Sequence, residues 1–89
     1  MTGEEKLNSL RERIDETDKA LVKLFIDRME ICREVAEAKK EAGLPVENRK
    51  REEAVLEKIS KEAGSENAKY VRALYEKIFE LSKEEQRKI

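Results

Sequence analysis

A chain of 89 residues with 46% charged, 38% hydrophobic and 4% aromatic side chains is polar throughout and close to neutral, at a formal net charge of −1. Its 20 cationic and 21 anionic side chains are mixed in sign, which argues against general affinity for nucleic acid or a membrane surface. With one cysteine, Cys32, and no histidine, neither an internal disulfide nor a zinc site is expected, and a cytoplasmic location follows. Met1 to Lys6 has no apolar core, so no signal peptide is expected, and no apolar run is long enough for a membrane span.

The first element is the longest. Leu7 to Ala42, about thirty-six residues, contains no Pro and no Gly. Steps of three and four from Leu7 meet Leu10, Ile14, Thr17, Leu21, Leu24, Arg28, Ile31, Val35, Ala38 and Ala42, the seam of a long packed helix over about residues 5–42. Residues 1 to 4 read as frayed, with Asn8 or Ser9 as caps for a later start. At ~1.5 Å per residue such a helix is about 54 Å long. A compact chain of this size has a diameter of about 30 Å, so the helix either overhangs into solvent or packs against a second copy, and the apolar seam favours the second. Arg28 breaks the apolar pattern, and a guanidinium in a packed seam normally has an anionic partner. Lys39 falls only about 20° from Arg28 around the axis and roughly 16 Å along it, so two cations face one strip.

Gly43 is a good helix terminator, and Pro45 forbids continuation. Asn48 reads as the N-cap of a second helix, about residues 49–63, with Val55, Leu56, Ile59 and Ala63 as its apolar stripe. Arg51 and Glu52 stand one turn before Val55 and Leu56. Gly64 ends that helix, and Ser65 or Asn67 caps a third, about residues 66–87. There Val71, Leu74, Ile78 and Leu81 make one apolar row, while Tyr75, Phe79, Ser82 and Gln86 make a second that turns polar at its end. The expected fold class is all-α: three helices, long, short and medium, in one domain over residues 1–89.

Each polar residue on an inner face also has a plain reading. A seam Arg or Lys most often snorkels to solvent or pairs with a neighbouring Glu. Ser82 and Gln86, near a helix end, taken singly read first as solvated and frayed, and Cys32 reads as a small core residue without a base to activate it. The joint pattern points further. Inward cations, one Glu and two neutral hydrogen-bonding side chains, with no catalytic His, would clamp a small multi-anionic molecule.

The ordered set Arg11, Arg28, Lys39, Arg51-Glu52, Ser82 and Gln86, with Leu10-Arg11-Glu12-Arg13-Ile14-Asp15 at the head and Pro45-Val46 before the second helix, resembles the all-helical chorismate mutase family from about Leu7 to Gln86. The resemblance implies an intertwined antiparallel homodimer with two active sites and the rearrangement of chorismate to prephenate, a step toward phenylalanine and tyrosine. It implies that Arg28 holds a substrate carboxylate and that Arg11 does so from the partner's long helix. Arg51 would support carboxylate binding. Lys39 would meet a carboxylate and the ether oxygen of the breaking bond, which Gln86 would hydrogen-bond from the other side. Glu52 would accept from the ring hydroxyl, Ser82 would assist with a carboxylate, and Val35 and Phe79 would form apolar walls. Asn48 stands where the family usually has Asp, at a position whose main expected contact is from the backbone.

A unimolecular pericyclic step needs no nucleophile, metal, cofactor or proton transfer, so the lack of His is no objection. It needs a chair-like conformer held in place and donors aimed at the ether oxygen. The same cationic clamp would also suit an isochorismate pyruvate-lyase of this fold, against which Glu52 tilts the reading. A helical interaction module without catalysis is the alternative from a different class.

Overall fold

The computed structural model describes all residues from Met1 to Ile89. It contains three helices and no strand: α1, Gly3–Ala42; α2, Arg49–Ala63; and α3, Ala68–Gln86. The expected all-α order of long, short and medium helix is what the chain adopts. No helix is long and apolar enough to cross a membrane. The chain divides into two units, Met1–Ile31 and Cys32–Ile89.

The first unit is helical from Gly3 onward. Its start lies ahead of the seam because Thr2 and Glu5 form a capping box. Thr2 Oγ1 accepts from the Glu5 backbone N–H at 3.1 Å, and the Glu5 carboxylate accepts from the Thr2 hydroxyl at 3.0 Å. Thus the residues that read as frayed from sequence carry the cap. Thr17, the mild exception in the seam, donates its hydroxyl to the Arg13 carbonyl at 2.9 Å and so needs no partner from another helix. The seam itself is not covered within the chain. Leu7, Leu10, Ile14, Leu21, Leu24 and Ile31 are 45–65% exposed.

The second unit holds Cys32–Ala42 of α1 together with α2 and α3. The end of α1 closes by a Schellman arrangement. The Leu44 N–H donates to the Lys39 carbonyl at 2.8 Å and the Gly43 N–H to the Lys40 carbonyl at 3.2 Å. Gly43 takes φ +69°, the left-handed conformation this closure requires and that a side chain would resist. Asn48 then caps α2 through its side-chain oxygen, which accepts from the Arg51 N–H at 3.0 Å. Asn67 occupies the cap position of α3 without a side-chain cap bond.

Buried apolar residues are few: Ala36 on α1, Ile59 on α2 and Phe79 on α3. Tyr75 meets Phe79 edge to face, with ring centroids 6.1 Å apart at 74°. Arg72 Nη1 donates across to Ser60 Oγ at 3.1 Å, and Ser60 donates back to Leu56 O at 2.6 Å, which ties α2 to α3. The approach of Cys32–Ala42 to α3 is different in kind. No Cα–Cα pair within 8 Å joins them, and the link is made by long polar side chains.

Candidate active site

Lys39 lies in the last turn of α1 and Gln86 is the last residue of α3. The Lys39 ammonium donates to the Val46 carbonyl at 2.7 Å and to Gln86 Oε1 at 3.2 Å. Gln86 Nε2 donates in turn to Ser82 Oγ at 3.1 Å. This sense of the amide is the one chemistry allows, because an ammonium has no lone pair and only Oε1 can face it. Ser82 and Gln86, one helical turn apart, are 3% and 7% exposed, so they are more buried than every apolar residue of α3, Phe79 at 8% included. Solvated fraying is therefore not their state.

The donors that remain define what the cluster can do. An ammonium has three N–H groups and Lys39 uses two; a carboxamide nitrogen has two and Gln86 uses one. One donor is left on each of two neighbouring groups. A pair of fixed donors of this kind stabilises an oxygen on which negative charge develops.

Glu52, in the first turn of α2, faces Lys83 of α3 rather than solvent. The Lys83 ammonium lies 3.2 Å from one carboxylate oxygen and 3.4 Å from the other, and 3.4 Å from Glu47 Oε1 as well. The hydrogen bond from Lys83, with its charge and that of Arg49, holds the Glu47 carboxyl below its ordinary value of 4.5. Glu85 is held below that value by its hydrogen bond from Arg33 and then by Lys88, at 3.0 and 3.2 Å. Arg33–Glu85 and Lys39–Gln86 thus join the same end of α3 to the last turns of α1. Lys83, Glu47, Arg33 and Glu85 were not singled out by sequence. In a chain with 46% charged residues a given ion pair has no visible signature.

The other expected residues take varied places. Asn48 serves α2 as its cap, and its backbone carbonyl accepts from the Glu52 N–H at 3.0 Å, so it sets where Arg51 and Glu52 begin their turn. Arg51 is exposed; Phe79 is buried at 8% exposure, whereas Val35 is 40% exposed. Arg11, exposed, and Arg28, half-buried, lie in the first unit. Cys32 is half-buried and in no disulfide. A shallow groove of about 470 Å³ between α2 and α3 touches Glu52 and Phe79 but not Lys39, Ser82 or Gln86. Glu47, Glu52, Glu53, Glu76 and Glu80 outnumber Arg49, Lys83 and Arg87 along it, which is the wrong balance for an anionic ligand.

Residues 10–87 match the family described as chorismate mutase type II, a stretch that encloses the cluster and every other expected site residue from Arg11 to Gln86. The chain belongs to that family. Among its relatives, the chorismate mutase of Methanocaldococcus jannaschii is 37% identical over 57 residues, which is 64% of this chain and 58% of that protein. The T-protein of Enterobacter agglomerans is 43% identical over 58 residues, 65% of this chain and 16% of that protein. A 3-dehydroquinate dehydratase of Pyrobaculum aerophilum is 44% identical over 50 residues, 56% of this chain and 17% of that protein. This chorismate mutase family chain therefore spans between about a sixth and somewhat over half of the length of these relatives.

Proposed function

We propose that residues 1–89 form one chorismate mutase domain that rearranges chorismate to prephenate as a cytoplasmic homodimer, with each active site shared between two copies. The observation that carries this reading is the Lys39–Gln86–Ser82 cluster, with one donor left on Lys39 and one on Gln86, in a chain of the chorismate mutase type II family. The rearrangement breaks an ether C–O bond and forms a C–C bond within one molecule, and negative charge grows on the ether oxygen as the bond lengthens. Lys39 and Gln86 donate to that oxygen. Preorganised donors do not need to reorient as the charge appears, which is where their advantage over water lies. Lys39 also meets a carboxylate, and Ser82 assists there while fixing the Gln86 amide.

Arg28 and Arg51 hold the carboxylates that water would otherwise solvate, and Glu52 accepts from the ring hydroxyl, so the substrate is kept in the reactive chair. Val35 and Phe79 supply apolar contact on either side of the ring. No cofactor is called for, since bond breaking and bond making are internal to the substrate.

A second copy enters through Arg11. On one helix Arg11 and Arg28 are seventeen residues apart, about 25 Å along the axis, more than a ligand of this size spans. An antiparallel long helix from a two-fold partner supplies Arg11 to the site of Arg28. The exposed seam, from Leu7 to Ile31 on α1, gives that partner an apolar surface to cover at about 25 cal/mol per Å² buried. The test is turnover of chorismate by the purified chain, with product analysis on chorismate and isochorismate. Prephenate from chorismate supports the reading. Pyruvate release from isochorismate alone would make the chain a lyase, and no turnover of either would leave an interaction module.

A further inference from the structure

Lys83 has no part in the set of groups assigned above, yet it stands beside it. It follows Ser82 directly on α3, and its ammonium spans both oxygens of Glu52 at 3.2 and 3.4 Å while reaching Glu47 at 3.4 Å. The Lys83 and Glu52 side chains are 19% and 24% exposed, so the pair is well shielded compared with Lys23–Asp27, at 76% and 46%. The loop before α2 is thereby held from two sides: Lys39 binds the Val46 carbonyl, and Lys83 binds the carboxylate of the next residue, Glu47. A Glu side chain left free samples several rotamers, and fixing it at a ligand costs conformational entropy. Here that ordering is already present. Each Glu52 oxygen keeps a further lone pair after its contact with Lys83, so the carboxylate can still accept from a ligand hydroxyl.

We infer that Lys83 is a positioning residue: it holds the Glu52 carboxylate, and the loop at Glu47, in the arrangement that accepts the substrate's ring hydroxyl. This rests on the activity proposed above. The arrangement makes α3 the organiser of both arms of the site, the donor arm through Ser82 and Gln86 and the acceptor arm through Lys83.

A mutant cycle on the dimeric protein tests it. Lys83→Met keeps the length of the stem and removes the charge; it is expected to lower kcat/KM for chorismate about tenfold in the wild-type background, within the range that coupled neighbours show. In a Glu52→Ala background the same substitution is expected to change kcat/KM by less than about twofold, because the group it positions is gone. Lys83→Arg, which restores a cation, is expected to recover most of the loss. An equal loss from Lys83→Met in both backgrounds, or no loss in the wild type, would overturn the inference. A readout independent of turnover keeps the two proposals separate. Carboxyl carbon NMR should show Glu47 titrating at higher pH in Lys83→Met, since Lys83 is the first cause of its lowered value and only Arg49 remains beside it. An unmoved Glu47 would remove the clamp whether or not the chain turns over chorismate; an inactive chain with a moved Glu47 would count against the activity alone.

Discussion

Lys39→Ala is the perturbation whose cost the structure lets us divide between chemistry and fold. The ammonium makes two hydrogen bonds, to Val46 O at 2.7 Å and to Gln86 Oε1 at 3.2 Å, and keeps one N–H, which the proposed function assigns to the ether oxygen. Loss of one preorganised donor at a developing oxyanion costs about 3 to 4 kcal/mol, or roughly two to three orders of magnitude in kcat. The structural side is smaller. The loop stays anchored by the Leu44 N–H on the Lys39 backbone carbonyl at 2.8 Å and by Lys83 on Glu47. Bonds from a charged donor of this kind contribute about 1.5 to 3 kcal/mol each, and water can replace the donor at the half-buried Val46. Steady-state kinetics with chorismate, alongside circular dichroism, separates these effects. The expected result is a kcat lower by about a hundredfold or more with helical content unchanged. A near-normal kcat with only a raised KM would show that Lys39 binds the ground state and the transition state alike, and would refute its role at the ether oxygen.

Two further predictions follow from the same cluster and from the ion pairs around it. Gln86→Glu should make activity rise on acidification from about pH 8 to about pH 5, because only a protonated carboxyl can donate to the ether oxygen; equal rates at both values would take Gln86 out of the site. Glu47 and Glu85 have folded-state values below the ordinary 4.5, so each contributes stability that is complete above that value and is lost as pH falls through the folded one. Thermal melts should therefore drop as pH falls below about 4.5, and less steeply in Glu85→Gln; parallel curves for the two proteins would contradict the assignment.

The punctuation of the fold was open to inspection in the chain because it depends on single residues. Gly43 and Gly64 take positive φ, +69° and +81°, and Asn48 caps through its own side chain. These are local requirements that a residue type meets by itself. The start of α1 was less visible, since the Thr2–Glu5 box precedes the first seam residue and periodicity does not extend to it. In the site, Ser82 and Gln86 were found through a row that turned polar, and their four-residue spacing is the bond the structure shows. Lys83 was not found. Its partners Glu52 and Glu47 are 31 and 36 residues away, and only the packing of α2 on α3 brings them together. The apolar seam of α1 was also plain in sequence, and the single chain leaves it exposed.

The central claim, that two copies complete one site for the rearrangement of chorismate, is tested most directly by subunit mixing. Arg11→Ala and Arg28→Ala chains should each have little activity alone, because in either homodimer every site lacks one arginine. Unfolded and refolded together, they form mixed dimers in which one site keeps both arginines and the other lacks both. With random assembly about half the dimers are mixed, so activity should return to about a quarter of wild type. Failure to recover activity in verified mixed dimers would place Arg11 outside the shared site and contradict the account.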